Sequence, residues 1–488
     1  MTVAQPRQLA NDPHAWPHTP GLAGMQPVAT PPRDGYAAAF PSDAALPLAA
    51  PPTGGEALVT PAGHRLNIFQ RVVRQWERLH PYNAAQAMRL RRRFDYTRIT
   101  DAWRSTLADL GLGPIHFNGD RVLYEFAPGA IAASSPLELE EHDCLQAFLS
   151  RQMNRPWEED TLPFRPFVKL ENGAEQIIGV VYRHCASDSY SIRLVLREWL
   201  VRLHDPNRAR KSPLLPARRG YWHHYGPFAA DWSFIGSLLK QANASVRMRK
   251  CRRVLPPRQS QVDVRFREYR APDGLVAALR SSARRRGGKV NDLFLAALFR
   301  TCAQLVPLEP TKRRRHLCIG TIVDLRGLAG RSPGDAFGLF LGFTSTFARP
   351  SEMRDPDKLA RCVAGQSRRH RESQIPQASQ IALTTALLAA LCLEDAELQE
   401  FYRKRFPLVG GISNVLLNGT WAEQLHAEGL LAEYVRVSPT GPFMPLVVTP
   451  TTLGGRLHLG VTTRTAVISD STADQIAADF LAELQRLA

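Results

Sequence analysis

The sequence predicts an α/β protein with two halves of similar size behind an N-terminal tail. With 488 residues, the chain exceeds the size at which a single hydrophobic core keeps growing, which favours two domains. Each half alternates short apolar strands with helices whose apolar residues recur at helical spacing. Residues 1–62 are rich in Pro, Ala and Gly and lack this periodicity, which predicts a flexible tail. Residues 63–205 and 262–488 are therefore predicted to form the domains, with 206–261 as the connecting segment.

Local patterns place the elements of the first half. The first helix must end before Pro81, because proline disfavours helix in the residue that precedes it. Asn118-Gly119 is a strong turn signal and predicts a hairpin. The predicted order is a helix over 68–79, a strand over 85–92, a helix over 96–110, a hairpin over 115–126, a helix over 137–153, a strand over 177–182 and a helix over 192–203.

The second half repeats this alternation. Ser471 with Asp474 three residues later is typical of a capped helix start, which predicts a final helix from Ser471. The apolar run over 381–393 is too short to span a bilayer, for which about 20 residues are needed, and is predicted as a buried helix. The predicted order is a strand over 262–269, helices over 273–285 and 290–305, strands over 316–323 and 337–347, helices to about 402, strands over 446–452 and 457–463, and the final helix.

Composition indicates a protein of a reducing compartment. Hydrophobic residues make up 44% and charged residues 22% of the chain, as in ordinary globular proteins. The N-terminus lacks the pattern of a secretory signal. The seven cysteines form neither a CxxC pair nor a disulfide framework, and no metal site is predicted. We expect a cytoplasmic location, with peripheral contact at the inner membrane face as an alternative.

The net charge of +17 favours an acidic partner. Candidates are an acidic acyl-carrier protein, the phosphates of coenzyme A and an anionic membrane. Nucleic acid is disfavoured because no recognised module and no aromatic interleaving of the basic runs is present. One basic cluster is predicted to dock such a partner, with a merely solvated face as the alternative. It consists of Arg284, Arg285, Arg286 and Lys289.

The segment from Arg183 to Ser189 carries the strongest chemical signal. It contains His184 and, four residues later, Asp188, directly after a buried strand and before a helix. Acyl transfer needs a base that accepts a proton near neutral pH, and histidine has a suitable pKa. Another His-x-x-x-Asp, over 116–120, encloses the hairpin turn and is interpreted as structural. The short pattern recurs by chance, so the strand-to-helix context is what favours His184 as the base.

Four ordered stretches resemble the coenzyme-A-dependent acyltransferase superfamily, which includes condensation domains and chloramphenicol acetyltransferase. The resemblance is closest to the bacterial wax ester synthase and diacylglycerol acyltransferase branch, and it covers roughly residues 65–488. Arg183 and Ser189 stand where that branch has His and Gly, which leaves the acceptor class open. The matching stretches are the HxxxD segment, Val290-Asn291-Asp292-Leu293-Phe294-Leu295-Ala296, Val323-Asp324-Leu325-Arg326 and Ser413-Asn414-Val415.

The resemblance implies two chloramphenicol-acetyltransferase-like α/β sandwich domains, arranged as a pseudo-dimer with an active-site tunnel between them. It implies acyl transfer from acyl-CoA or an acyl-carrier protein to a hydroxyl or amine of a small-molecule or lipid acceptor. The acceptor would attack the thioester directly, without an acyl-enzyme. No bound cofactor is implied, and coenzyme A or phosphopantetheine would carry the acyl group. The alternative is a non-catalytic condensation-like module that docks an acidic carrier or a membrane.

Site roles follow from the same resemblance. His184 is implied to be the general base, and Asp188 a structural residue that binds Arg326. The alternative for Arg326 is a surface ion pair. Polar residues implied to contact substrate in the tunnel are Arg183, Ser189, Ser413, Asn414 and Thr440.

Overall fold

The computed structural model describes residues 64–119, 121–124, 136–141, 143–171, 175–216, 232–256, 263–326, 336–373, 375–442 and 444–488. The predicted tail and parts of the predicted connecting segment lie outside these ranges. The first half consists of β1 (His64–Arg65), α1 (Ile68–Glu77), β2 (Asn83–Leu90), α2 (Tyr96–Leu110), β3 (Ile115–Asn118), β4 (Arg121–Tyr124), β5 (Glu138–Glu140), α3 (Leu145–Asn154), β6 (Phe164–Leu170), β7 (Gln176–Arg183) and α4 (Ser189–His204).

The connecting segment and the second half follow. They consist of β8 (Leu215–Pro216), α5 (Trp232–Met248), β9 (Val264–Arg270), α6 (Leu275–Arg285), α7 (Val290–Leu305), β10 (Leu317–Asp324), β11 (Ala336–Phe337), β12 (Leu341–Ala348), α8 (Pro350–Met353), α9 (Pro356–Arg371), α10 (Ile375–Ala389), α11 (Asp395–Arg405), β13 (Gly410–Ile412), β14 (Val415–Leu416), α12 (Trp421–Ala427), β15 (Leu431–Val437), β16 (Leu446–Leu453), β17 (Arg456–Arg464) and α13 (Asp470–Leu487).

Two large sheets organise these elements, as the predicted α/β class requires. The first has five strands in the order β15-β2-β7-β6-β5, and the second has the order β12-β10-β13-β16-β17-β9, with β14 also paired to β16. Helices α2 and α4 cover the first sheet, while α7 and α13 pack against each other over the second. The result is two α/β lobes, each with its own hydrophobic cluster.

Helix α2 illustrates how local sequence determines an element. The side chain of Asp95 accepts a hydrogen bond from the Arg98 amide at 2.8 Å, which caps the N-terminus. Gly111 ends the helix at φ +65°, a conformation that glycine adopts without strain. Trp103, on the buried face, packs on Trp199 of α4 with 4.7 Å between ring centroids. The observed bounds of α2 are those that the sequence predicts.

One strand connects the two halves of the chain. β15, from the second half, pairs antiparallel with β2 and forms the edge of the first sheet, with Arg436 opposite Gln86. In the other direction, α3 of the first half packs against β9 of the second. The Asn154 side chain donates to the Val264 carbonyl at 2.8 Å and accepts from its amide at 2.9 Å. Each half therefore contributes an element to the surface of the other.

A buried charge cluster lies where these elements meet. Arg89 of β2, only 4% exposed, binds Glu171 at 2.7 Å, Glu268 of β9 at 3.3 Å and Glu433 of β15. His458 of β17 lies 3.2 Å from the Glu268 carboxylate. Burial raises the pKa of Glu268, but His458 and Arg89 outweigh it and hold that pKa at about 2. The cluster joins strands of both sheets.

The low pKa of Glu268 predicts acid sensitivity. Because this pKa lies below the ordinary glutamate value of about 4.3, the ionised carboxylate stabilises the fold at neutral pH, and that contribution is lost as pH falls from about 5 toward 2. We expect the free energy of unfolding, measured with denaturant at several pH values, to fall more steeply over this range in the wild type than in Glu268→Gln. Equal slopes would contradict a stabilising role for this carboxylate.

Four predicted elements differ clearly from the structure. The strand predicted over 337–347 is divided into β11 and β12, which belong to different sheets. The helix predicted over 137–153 begins only at Leu145, because 138–140 pair with β6 in the sheet. The final helix is capped by Ser469, whose hydroxyl accepts from the Thr472 amide at 3.2 Å, and not by Ser471. The apolar run over 381–393 is not wholly buried, since Leu388 and Leu391 are about three-fifths exposed, at 62% and 60%. Helix α10 packs against α5, β12 and α1.

A search of the described helices for one both long and apolar enough to cross a membrane finds none.

Candidate active site

His184 lies on the loop between β7 and α4, as predicted. Its backbone amide donates to the Tyr82 carbonyl at 3.1 Å, which extends the pairing of β7 with β2 by one bond. Asp188 ends the loop as the N-cap of α4, where its side chain accepts from the Ser191 amide at 3.0 Å. The segment is thus held at both ends by backbone groups.

The ring of His184 is oriented for proton acceptance. Its Nδ1 lies 2.9 Å from the Ser187 carbonyl oxygen. Because a carbonyl can only accept, Nδ1 must donate, and in the neutral ring Nε2 keeps its lone pair. Burial lowers the pKa of His184 below its ordinary value, although the bond to Ser187 acts in the opposite direction. The ring also stacks on Tyr82 with 5.5 Å between centroids.

Asp188 and Arg326 form a buried ion pair across the two halves. Arg326 Nη1 donates to Asp188 Oδ2 at 2.6 Å, and the side chains are 3% and 1% exposed. The Phe340 amide donates to the same oxygen at 2.8 Å. Burial raises the pKa of Asp188, but Arg326 and the backbone donors more than offset this and hold it below its usual range. The carboxylate oxygens are therefore bonded to Arg326 and to backbone amides, as expected of an architectural residue.

Two adjoining cavities lie at the junction of the lobes. The first, of about 170 Å³ and called the site cavity, is lined by His184 and Asp188 of the first half and by residues of β10, β12, β13 and β15 of the second. The second, of about 260 Å³, shares Trp76, Tyr82 and Pro439 with the first. His184 thus faces a space that both halves of the chain enclose.

The predicted contact residues separate into three groups. Ser189, Ser413 and Asn414 line the site cavity. Thr440 lines the adjoining cavity instead. Arg183, also expected to contact substrate, lies outside the lining of both cavities.

Strand geometry explains the position of Arg183. Arg183 directly precedes His184 at the end of β7, and successive side chains of a strand point to opposite faces. Its guanidinium binds Glu77 at 3.0 Å and lies over the Phe117 ring at 4.9 Å. An arginine at this position therefore supports the packing of α1 on the first sheet.

Two residues of the predicted docking cluster have structural partners. Arg286 binds Asp357 at 2.6 Å and the Leu487 carbonyl at 3.2 Å. Arg285 donates to the carbonyl oxygen of Ala488 at 3.2 Å. Both side chains therefore tie α6 to the end of α13. Arg284 and Lys289 are exposed, and any docking role falls mainly on these two.

The sequence reasoning did not identify Arg436, which lines the site cavity and is 2% exposed. Arg193 of α4 lines it as well. The sequence feature that could have indicated Arg436 is a charged residue among the apolar residues at the end of β15, Tyr434-Val435-Arg436-Val437. Tyr82 and Tyr182, whose rings flank His184, had no distinguishing signal because aromatic residues are common in buried strands.

Cys185, the neighbour of His184, is fully buried. Burial raises the pKa of its thiol well above the ordinary value, and Glu77 adds to this rise. A neutral thiol is a poor nucleophile. Cys185 is also absent from the lining of both cavities, so its position favours packing with α1.

We therefore expect Cys185→Ala to keep its acyl-transfer rate within a few-fold of the wild type. Intact-mass spectrometry after incubation with an acyl thioester should detect no acyl group on the wild-type chain. An adduct on Cys185 that disappears in the variant would instead establish covalent catalysis.

No group of three or more His, Cys, Asp or Glu side chains within the described ranges is arranged to hold a metal ion. Searches of protein-family models and of curated proteins give no match to this chain.

Solved structures with a similar fold include condensation domains and a cyclization-docking bidomain of peptide and polyketide synthetases. The nonribosomal peptide synthetase FmoA3, bound to α-methyl-L-serine-AMP, matches 90% of this chain with a TM-score of 0.64 and 16% identity. This chain covers 46% of that synthetase, so it spans less than half of its length. The described residues thus have a condensation-domain fold, with two chloramphenicol-acetyltransferase-like lobes.

In two other matches, this chain covers most of the matched structure as well. The EpoB cyclization-docking bidomain from Sorangium cellulosum has a TM-score of 0.63 and 13% identity, with 88% of this chain and 87% of that chain covered. The first condensation domain of the calcium-dependent antibiotic synthetase, in complex with a substrate analogue, has a TM-score of 0.61 and 14% identity, with 88% and 97% covered. At these identities the likeness establishes the fold.

Proposed function

We propose that this protein transfers an acyl group from a thioester to a hydroxyl or amine, with His184 as the general base. The observation that carries the proposal is the state of the imidazole. Nδ1 donates to the Ser187 carbonyl, burial favours the neutral ring, and the residue lines a cavity enclosed by both halves. The condensation-domain fold supports the same class of reaction.

The proposed chemistry requires no covalent enzyme intermediate. His184 Nε2 accepts the proton of the acceptor O–H or N–H as the acceptor attacks the thioester carbonyl carbon. The tetrahedral adduct collapses by breaking the carbon–sulfur bond, and the departing thiolate takes the proton from the imidazolium. The products are an ester or amide and a free thiol. Asn414, on the cavity lining, is our candidate for contact with the tetrahedral oxygen.

Asp188 would act through geometry alone. Its bonds to Arg326 and to the Phe340 amide hold the loop against the second half. The Ser187 carbonyl, which fixes the His184 tautomer, belongs to that loop. Asp188 is therefore proposed as a positioning residue.

For the donor, we propose coenzyme A or a phosphopantetheine arm on an acidic carrier protein. The basic surface between the end of α6 and the start of α7, with Arg284 and Lys289 exposed, supports docking of an acidic partner through charge. The order of motifs along the sequence supports the wax ester synthase branch, whereas Arg183 and Ser189 depart from its pattern. We therefore propose the acceptor broadly, as an alcohol or amine.

The decisive experiment is a thiol-release assay on the purified full chain. Acyl-CoA, acyl-carrier protein and a short acyl-pantetheine would each be tested with alcohols and amines, and product formation followed by mass spectrometry. Thiol release that depends on both acceptor and His184 is expected. Binding of carrier without thiol release from any combination would instead support a non-catalytic docking module.

A further inference from the structure

Arg436 is a buried cation without a carboxylate partner. Its guanidinium donates to the Ser413 carbonyl at 2.9 Å, to the Ser413 hydroxyl at 2.9 Å and to the Ser189 hydroxyl at 3.3 Å. All three acceptors are neutral. Across the described residues, no Asp or Glu forms an ion pair with it. Burial lowers its pKa to about 10, so it remains charged at neutral pH.

The other charged side chains of the site cavity lie near side chains of opposite charge. Asp188 is bonded to Arg326. Asp324, also on the lining, lies 3.3 Å from Arg326 Nη1, and Arg193 likewise favours its ionised form. Among the charged side chains that line the site cavity, Arg436 is not paired with an opposite charge from the described residues. Burying a cation in this way is costly, unless an anion joins it.

Donor groups remain available for such an anion. A guanidinium has five N–H donors, and the three bonds of Arg436 leave two unused. Arg193, which lines the same cavity, has a buried Nη1 without a hydrogen-bond partner. Arg193 lies close enough to lower the pKa of Arg436 through charge repulsion. An anion in the cavity would balance the charge of Arg436 and accept from the open donors of both arginines.

We propose that the site cavity binds a substrate carrying a carboxylate, which Arg436 and Arg193 recognise. This inference deepens the proposed function, because it names a substrate class for the same cavity. A planar carboxylate matches the fork of a guanidinium better than a compact anion does. The phosphate of a phosphopantetheine donor does not fit this role, since the full length of the arm separates it from the thioester that must reach His184.

Binding can be measured without turnover. Trp76 lines the site cavity, so its fluorescence provides a readout for titrations of the full chain. The probes are hydroxy acids, amino acids and monoacyl-pantetheines with a terminal carboxylate, each paired with its methyl ester. We expect the carboxylates to bind more tightly than their esters. If the hydroxy or amino acids bind more tightly than their esters, the recognised carboxylate belongs to the acceptor. If instead the acyl-pantetheines with a terminal carboxylate bind more tightly than their esters, it belongs to the acyl chain.

Arg436→Gln should reduce that preference by roughly 10- to 100-fold, as expected for the loss of a charge-assisted hydrogen bond. Arg436→Lys should restore part of it, because the charge returns without the fork. The matched control is Arg464→Gln, which removes another buried arginine whose pKa burial lowers to about 10 but which lines only the adjoining cavity. That variant should keep the preference. If Arg436→Gln does not fold, Arg193→Gln serves as the test.

Equal binding of carboxylates and esters by the wild type, or an unchanged preference in folded Arg436→Gln and Arg193→Gln, would overturn the inference. The same titrations in a His184→Ala background separate it from the proposed function. Carboxylate preference without thiol release would leave the binding inference intact and contradict acyl transfer. Thiol release without a preference for carboxylates over esters would support acyl transfer and contradict the binding inference.

Discussion

His184→Ala is expected to lower the rate of acyl transfer by roughly 10²- to 10⁴-fold, the contribution of a positioned general base. The imidazole is the group in the site cavity whose neutral form is favoured by burial and whose Nε2 is left to accept a proton. The measurement is thiol release under single-turnover conditions. Because only the neutral ring is a base and its pKa is lowered, kcat/KM of the wild type should stay high down to a pH below the ordinary histidine pKa of about 6.5.

A control variant comes from the other His-x-x-x-Asp of the chain. His116 lies on the β3–β4 hairpin and pairs with Asp160 at 2.9 Å. His116→Ala should retain most of the wild-type rate. Both variants should keep the wild-type circular dichroism spectrum. Full activity in a folded His184→Ala would refute the mechanism.

Asp188→Ala should destabilise the protein by about 3 to 5 kcal/mol, the usual cost of removing one partner of a buried ion pair. The substitution removes the buried carboxylate that binds Arg326, which keeps only the more exposed Asp324 at 3.3 Å as an acidic neighbour, and it removes the cap of α4. It should also reduce turnover, because the loop that orients His184 loses its contact with the Phe340 amide. Denaturant unfolding measures the first effect, and thiol release the second.

Asp188→Asn keeps the shape of the side chain but removes its negative charge, so it separates the two contributions. The Ser191 amide donates to Oδ1 and the Phe340 amide to Oδ2, and the amide of Asn keeps only one of these oxygens. One of the two bonds can therefore persist, so we expect a smaller loss of stability than in Asp188→Ala and partial activity. Arg326→Met combined with Asp188→Asn should recover stability relative to Asp188→Ala, since no buried charge is left unpaired. If Asp188→Ala abolished turnover while leaving the unfolding free energy unchanged, a direct chemical role for the carboxylate would be required.

Local signals made much of the fold predictable. The bounds of α2 follow from Asp95 and Gly111, and the β3–β4 hairpin follows from Asn118-Gly119. The His184 loop was placed correctly because an apolar strand and an amphipathic helix flank it. In each case, the residues that determine the element lie within a few positions of it.

Features that depend on distant contacts were less accessible. Arg183 and His184 are neighbours in sequence, yet the end of β7 directs their side chains to different environments. The Asp188–Arg326 pair was anticipated only through a resemblance, since 138 residues separate its members. Arg436 was not predicted, because only the three-dimensional structure shows that it is buried and that no carboxylate among the described residues pairs with it.

The position of β15 has a consequence for how the chain acquires its structure. The first sheet cannot gain its edge strand until residues 431–437 have been synthesised, since β15 pairs with β2 from almost 350 positions away. Pairing over such a separation closes a long loop, which slows folding. During synthesis, β2 would expose unpaired backbone groups for most of translation, an arrangement prone to aggregation. A fragment that ends before β15 would therefore lack both that edge strand and Glu433 of the Arg89 cluster, so neither half is expected to mature independently.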